Sequence, residues 1–259
     1  MFSWLGNVDL ILAIIKLIED RMNADNDILD VGVQAVLLVE DSIRFYSSVL
    51  PHLFKYLLKQ SMEFSTEALN DHERMLRMRG RPKVLFARDY EEAMALYEKY
   101  GHNILGVISD VRFPRGGEKD PDAGMAFAAH IRKDYPFMPV IVESQESANR
   151  ERVEQAGYVF LDKNSKTLPQ DLRNAVGRHF GFGDFIVKDP ATGMEIMRIK
   201  DLKGLQTNVF NIPSDALFYH CSRNEVSRWL YSRALFPIAD AVKTYRFTKL
   251  EEAPAVRKL

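Results

Sequence analysis

Acidic, hydroxyl and amino side chains follow short apolar runs of the sequence, and this combination suits phosphoryl chemistry around a divalent cation. They are Glu40, Asp41, Asp110, Ser144 and Lys163. Carboxylates that converge on one spot repel each other unless a cation neutralises them, and Mg²⁺ prefers hard oxygen ligands. A lysine ammonium adds positive charge, and a serine hydroxyl can donate to an incoming oxygen. The set therefore predicts a magnesium site in which Asp110 is the nucleophile for a phosphoryl group.

The apolar runs themselves are predicted strands, and helical segments separate them. Runs of this length that end in turn residues are typical of strands buried on both faces of a parallel sheet. The predicted strands cover residues 35–39, 83–87, 104–109, 139–143 and 157–161, and helices are predicted over 89–100, 122–134, 149–155 and 168–180. This alternation predicts a doubly wound α/β fold with a five-stranded parallel sheet. Because the carboxyl ends of such strands lie at one edge, the five polar side chains should meet there.

Three further stretches lie outside this alternation. The connection over residues 42–82 is about twice what one crossover helix needs, which predicts a long helical insertion after the first strand. Residues 184–187 and 195–199 alternate as strands around a turn, and the chain beyond residue 201 is helical. The predicted domains are a strand-helix segment with a linker over 1–30, the parallel-sheet domain over 31–182, and a smaller α+β region over 183–259.

Composition gives no support for several classes of partner. The 259 residues include 35 basic and 36 acidic side chains, so net charge gives no reason to expect nucleic acid or an anionic membrane as the main partner. The apolar run over residues 8–18 is shorter than the roughly 20 residues that span a bilayer, and it has neither a basic start nor a cleavage site. A single cysteine, Cys221, allows no internal disulfide, which favours a reducing, cytoplasmic setting.

Residues 35–180 resemble the receiver domain of two-component response regulators. The matching stretches are VLLVED at 36–41, VISD at 107–110, PVIVES at 139–144, AG at 156–157 and FLDK at 160–163, and Gly124 matches a glycine that opens the following helix. The resemblance implies a flavodoxin-like sheet of strand order 2-1-3-4-5. It also implies phosphorylation by a histidine kinase or a small phosphodonor.

The resemblance assigns a role to each matching residue. It implies that Asp110 is the phosphoacceptor and that Asp41 and Asp110 bind Mg²⁺ directly, with Glu40 acting through water. The backbone carbonyl of Arg112 is the implied third protein ligand. Ser144 is implied to be the switch hydroxyl, Lys163 the phosphate-binding lysine and Phe160 the switch aromatic. Asn164 departs from the family, which commonly has proline there, and the loop over 113–123 carries extra residues.

Two alternatives compete with a phosphoacceptor module. A receiver-like domain without chemistry could serve as a scaffold that holds partner proteins through its helical insertion and C-terminal helices. A hydrolase of the same doubly wound class could use Asp110 as its nucleophile. Phosphatases of the haloacid dehalogenase type need a second acid two residues after the nucleophile, and Arg112 at that position argues against this alternative.

A second resemblance covers nearly the whole chain. The stretches VEDSIRFYSSVLP, MLRMRGRPKVL and HCSRNEVSRWLYSRALFPIA are similar to the N-terminal regulatory region of phosphoenolpyruvate synthase or pyruvate phosphate dikinase-like proteins. It implies that this chain is a piece of a longer protein and that its partner is a C-terminal catalytic region of that protein. Residues 1–22 would then be the last strand and helix of a preceding, degenerate receiver-like domain. Their apolar helix favours a homodimer.

Overall fold

The computed structural model describes residues 1–4, 6–68, 70–244 and 249–258. The chain forms two compact units. The first comprises Met1–Gln60 and Arg81–His179, and the second comprises Ser61–Gly80 and Phe180–Leu259. These units divide the chain at positions other than residues 30 and 182. The predicted domains over 1–30, 31–182 and 183–259 stay a prediction.

The helices and strands follow in this order along the chain. The first half contains α1 (Asp9–Ala24), a π-helical segment (Asp25–Asp30), β1 (Ala35–Val39), α2 (Ile43–Ser65), α3 (Asp71–Arg79), β2 (Lys83–Ala87), α4 (Tyr90–Tyr100) and β3 (Ile104–Asp110). Next come β4 (Phe113–Arg115), β5 (Glu118–Asp120), α5 (Ala123–Asp134), β6 (Val140–Ser144), α6 (Asn149–Gln155), β7 (Val159–Asp162) and α7 (Leu168–His179). The remainder contains β8 (Phe185–Lys188), β9 (Glu195–Ile199), α8 (Leu202–Asn208), α9 (Ser214–Ser222), α10 (Glu225–Ser232), α11 (Phe236–Thr244) and α12 (Ala253–Val256).

The first unit is built on a five-stranded parallel sheet of order β2-β1-β3-β6-β7. Counted along the chain, these strands stand in the order 2-1-3-4-5, which confirms the predicted fold class and strand order. It is the order of the flavodoxin-like doubly wound folds. Every residue of β1 is buried, as expected for a central strand covered on both faces. All five carboxyl ends therefore lie at one edge of the sheet.

Two layers of side chains cover the sheet. On one face, Val107 and Val142 belong to a core cluster with Tyr97 of α4 and Phe127 of α5. Successive side chains of a strand point to opposite faces, so Glu143 points to the face opposite Val142. This alternation places a carboxyl inside the packed layer on the other side of the sheet.

The chain after Asp110 differs from its prediction. The sequence predicts a loop with extra residues over 113–123, whereas the structure forms an antiparallel hairpin of β4 and β5. Its turn residues Gly116 and Gly117 have φ angles of +62° and +84°. Two successive positive φ values are typical of the tight turns that match strand twist, and glycine adopts them without strain.

The structure of residues 1–30 also differs from the predicted strand, helix and linker. Residues 2–4 form no strand, and Leu5 lies outside the described residues. The predicted linker over 23–30 is instead the end of α1 and the π-helical segment, where Ile28 is fully buried. Three isoleucines of α1 are exposed, namely Ile11, Ile15 and Ile18. The homodimer predicted from this helix stays a prediction.

A buried ion pair joins α1 to β2. The carboxylate of Asp20, which is fully buried, accepts from both terminal nitrogens of Arg81, at 3.2 and 2.5 Å, and from the backbone N–H of Val84 at 2.8 Å. Lys83 Nζ lies 3.7 Å from the same carboxylate. Three donors offset the cost of removing this charge from water.

Replacing Asp20 with asparagine should lower the free energy of unfolding by about 2 kcal/mol. The amide keeps the volume but removes a charge that two cations face, and hydrogen bonds to charged groups contribute about 1.5–3 kcal/mol. Urea unfolding would measure the loss, with the exposed Asp30→Asn as the matched control. Equal stability of the Asp20 and Asp30 variants would contradict this account of the contact.

The second unit contains the β8–β9 hairpin and a helical core. The Trp229 indole donates to the carbonyl of Gly183 at 3.0 Å, and buried Arg233 donates to the carbonyl of Gly181 at 2.9 Å. Buried His220 accepts from the N–H of Lys188 at 2.9 Å, and its other ring nitrogen lies 2.5 Å from Glu225. Both ring nitrogens of His220 are therefore used inside the unit. Among the helices that the structure describes, each is too short or too polar to cross a membrane.

Candidate functional site

Three carboxylates meet at the carboxyl edge of the parallel sheet. One oxygen from each of Glu40, Asp41 and Asp110 lies within 4.8 Å of the others. Glu40 and Asp41 directly follow β1, and the Glu40 N–H donates to the carbonyl of Ala87 at 3.0 Å, which extends the ladder by one residue. The structure thus brings together the two acids that follow β1 and the acid that ends β3.

Lys163 is a buried cation of this pocket. Its ammonium lies 2.7 Å from Asp110 Oδ2 and forms a second ion pair with Glu40, and 3% of its side chain is exposed. The Lys163 N–H donates to the carbonyl of Ser144 at 2.9 Å, so the backbone of the β7 end is fixed beside the β6 end. The ring of Phe45 covers the ammonium at 4.6 Å. One cation is held between two acids at a defined position.

Burial and mutual repulsion perturb the ionisation of these groups. Burial raises the pKa of Glu40 to about 7, and the charge of Asp110 acts in the same direction against the opposing effect of Lys163. Burial alone would lower the pKa of Lys163, but the carboxylates of Glu40, Asp110 and Glu143 outweigh burial and raise it. The Lys163 side chain therefore stays a charged ammonium, and the acidic groups around it outnumber it.

Glu143 is a fourth acid of this region. It is fully buried, its backbone lies beside Asp110 in the sheet, and neither of its carboxylate oxygens has a hydrogen-bond partner. The pKa of Glu143 is raised to about 8, chiefly by burial and in part by the charges of Glu40 and Asp110, against the lowering effect of Lys163. In the sequence this glutamate stands within the apolar run PVIVES, where the strand period of two predicts only that its side chain and that of Val142 lie on opposite faces of the sheet.

The pocket suits a divalent cation. Asp41 Oδ1 is buried without a hydrogen-bond partner, although its other oxygen lies 3.0 Å from Lys119. An unpaired buried carboxylate oxygen is costly, and Mg²⁺ takes carboxylate oxygens together with water. Glu40, Asp41 and Asp110 are thus the residues that could hold the metal.

The remaining predicted site residues lie at or near the same edge. Ser144 Oγ accepts from the N–H of Glu146 at 3.0 Å and from Asn149 at 2.9 Å. Phe160 is buried, and the guanidinium of Arg150 lies 4.6 Å from its ring centroid. The Arg112 side chain lies 3.6 Å from Glu146. The switch roles of Ser144 and Phe160, and the metal ligation by the Arg112 carbonyl, stay predictions.

Similarity to known proteins is found among solved structures. No protein-family model matches the sequence, and no curated protein matches it. Among solved structures, the chain is similar to a response regulator receiver domain protein from Clostridium thermocellum, with 20% sequence identity over 56% of this chain and 93% of that one, at a TM-score of 0.37. The function proposed below therefore depends on the geometry of the pocket.

Proposed function

We propose that this chain is a receiver-type phosphoacceptor module of two-component signal transduction, in which Asp110 accepts the phosphoryl group. The observation that carries the proposal is the pocket at the carboxyl edge of the sheet. There Glu40, Asp41 and Asp110 converge within 4.8 Å and Lys163 lies 2.7 Å from Asp110. The phosphodonor would be a histidine kinase or a small phosphorylated molecule.

The surroundings of Asp110 suit a nucleophile held in one orientation. Its Oδ1 accepts from the N–H of Val111 at 2.7 Å, and its Oδ2 is held by Lys163. An oxygen of Asp110 attacks phosphorus, and the bond from phosphorus to the donor atom breaks. Lys163 offsets negative charge on the transferred group, and the Ser144 hydroxyl is a donor at the same edge. Mg²⁺ bound by the three acids would neutralise charge on the phosphoryl oxygens.

Phosphorylation of Asp110 tests the proposal directly. The chain incubated with acetyl phosphate and Mg²⁺ should gain the mass of one phosphoryl group, and Asp110→Asn should gain none because an amide is not a nucleophile. Asp30→Asn makes the same chemical change at an exposed position and should be phosphorylated like the wild type. A wild-type chain that gains no mass, and that does not bind beryllium fluoride, would favour the scaffold without chemistry.

We further propose that the module regulates a phosphoenolpyruvate synthase-like catalytic region. The support for this output is the similarity of the stretches at 39–51 and 220–239 to the regulatory region of such proteins. Phosphoenolpyruvate synthesis by that catalytic region, joined to this chain, should differ between wild type and Asp110→Asn when acetyl phosphate is present. Equal rates would remove the proposed output and leave the phosphoacceptor untouched.

A further inference from the structure

The β4–β5 hairpin stands beside the acidic pocket and is fixed at several points. Phe113 at its base is fully buried. The N–H of Gly116 in its turn donates to Glu91 of α4 at 2.9 Å. The guanidinium of Arg115 lies 4.4 Å from the ring centroid of Tyr90. A hairpin held at its base and its turn can place its other side chains at defined positions.

Lys119 is the side chain that this hairpin directs to the pocket. It pairs with Pro114 across the hairpin, and its ammonium lies 3.0 Å from Asp41 Oδ2. The lysine side chain is 53% exposed, whereas that of Asp41 is 17% exposed. The aspartate is thus fixed at the pocket wall, and the lysine approaches it from solvent.

We propose that Lys119 is a built-in competitor of the divalent metal, which it opposes at Asp41 and thereby sets the metal affinity of the pocket. The inference rests on the proposed function, because it concerns the same metal site. Asp41 Oδ2 faces Lys119 while Asp41 Oδ1 is buried without a partner, so the carboxylate is only half neutralised. A metal that engages this carboxylate meets the positive charge of Lys119 on the same side chain.

The strength of the contact suits a competitor that can be displaced. Ion pairs with a solvent-exposed partner are weak, because water screens them and the long side chain loses freedom when it pairs. Lys163 differs, since its ammonium is buried and held by two acids. The pocket therefore contains one permanent cation and one exchangeable cation, and the exchangeable one faces an oxygen suited to Mg²⁺.

Calorimetric titration of Mg²⁺ into the metal-free chain tests the proposal. Lys119→Ala should bind Mg²⁺ about three- to tenfold more tightly than the wild type, because removing a cation near the metal lowers the electrostatic cost of binding. Lys119→Arg keeps the charge and should stay close to the wild type. Lys133→Ala removes an exposed lysine at the far end of α5 and should leave the affinity unchanged.

Each outcome decides between defined alternatives. Tighter binding confined to Lys119→Ala supports the competitor. Equal affinities for the wild type and Lys119→Ala overturn it while leaving the metal site of the proposed function in place. Binding that is absent from both chains overturns the competitor and the magnesium site together. Circular dichroism of every variant confirms that the substitution has left the fold intact.

Discussion

Replacing Lys163 with methionine is expected to lower the free energy of unfolding by about 3–5 kcal/mol in metal-free buffer at neutral pH. This is the usual cost of removing one partner of a buried ion pair. Methionine fills a similar volume, so the loss reports charge and not a cavity. The ammonium of Lys163 is the group that faces both Glu40 and Asp110 in ion pairs. Without it, the carboxylates of Glu40 and Asp110 repel each other with no ammonium between them.

The pH dependence separates this cause from a packing defect. Burial already raises the pKa of Glu40 to about 7, so acidic buffer protonates Glu40 and should reduce the cost of losing Lys163. Urea unfolding at acidic and neutral pH would measure the difference, with the exposed Lys133→Met as the matched control. A loss of equal size at both pH values would show that the charge of Lys163 is not the reason. Added Mg²⁺ should restore part of the stability at neutral pH.

Replacing Glu143 with glutamine should raise the free energy of unfolding by about 2–4 kcal/mol near pH 8, and by little in acid. Burial raises the pKa of Glu143 from 4.5 to about 8. Below both values the carboxyl is protonated in the folded and the unfolded chain, and it has no pH-dependent effect. Between them the unfolded chain loses the proton that the folded chain keeps, so stability falls as pH rises, by about 1.4 kcal/mol per pH unit at most. Glutamine cannot ionise, so it removes this fall.

Urea unfolding across this pH range, with a chelator present, would test the Glu143 prediction. The wild type should lose stability from acid to alkaline pH more steeply than Glu143→Gln. Glu98→Gln makes the same change on the exposed surface of α4 and should follow the wild type. Parallel curves for the wild type and Glu143→Gln would mean that water or a rearranged side chain solvates this carboxyl.

Strand positions and strand order were predictable because they depend on local pattern and general topology. The apolar runs bounded by turn residues gave β1 and β2 their correct limits, and strand-helix alternation requires parallel strands whose carboxyl ends share an edge. The convergence of Glu40, Asp41 and Asp110 follows from that edge. Lys163 was predictable on the same ground, since it directly follows β7.

Other features depend on contacts that local pattern does not encode. Glu143 lies in an apolar run, and its importance appears only once Asp110 is its neighbour across the sheet. The β4–β5 hairpin occupies a short polar stretch whose pairing depends on anchors such as Phe113 and Glu91. Residues 25–30 were predicted to be a linker because they are polar, whereas buried Ile28 holds them in helical form.

The contact of α1 with β2 has a consequence for solubility. β2 is a border strand of the sheet, and such strands offer unpaired backbone groups that another chain can use to extend the sheet. The carboxylate of Asp20 accepts a hydrogen bond from the N–H of Val84 on this strand, and buried Arg81 donates to the same carboxylate. Asp20 of helix α1 thus takes up one of the backbone donors that an added strand would need, and the buried ion pair that stabilises the fold also makes this border strand less available for intermolecular pairing.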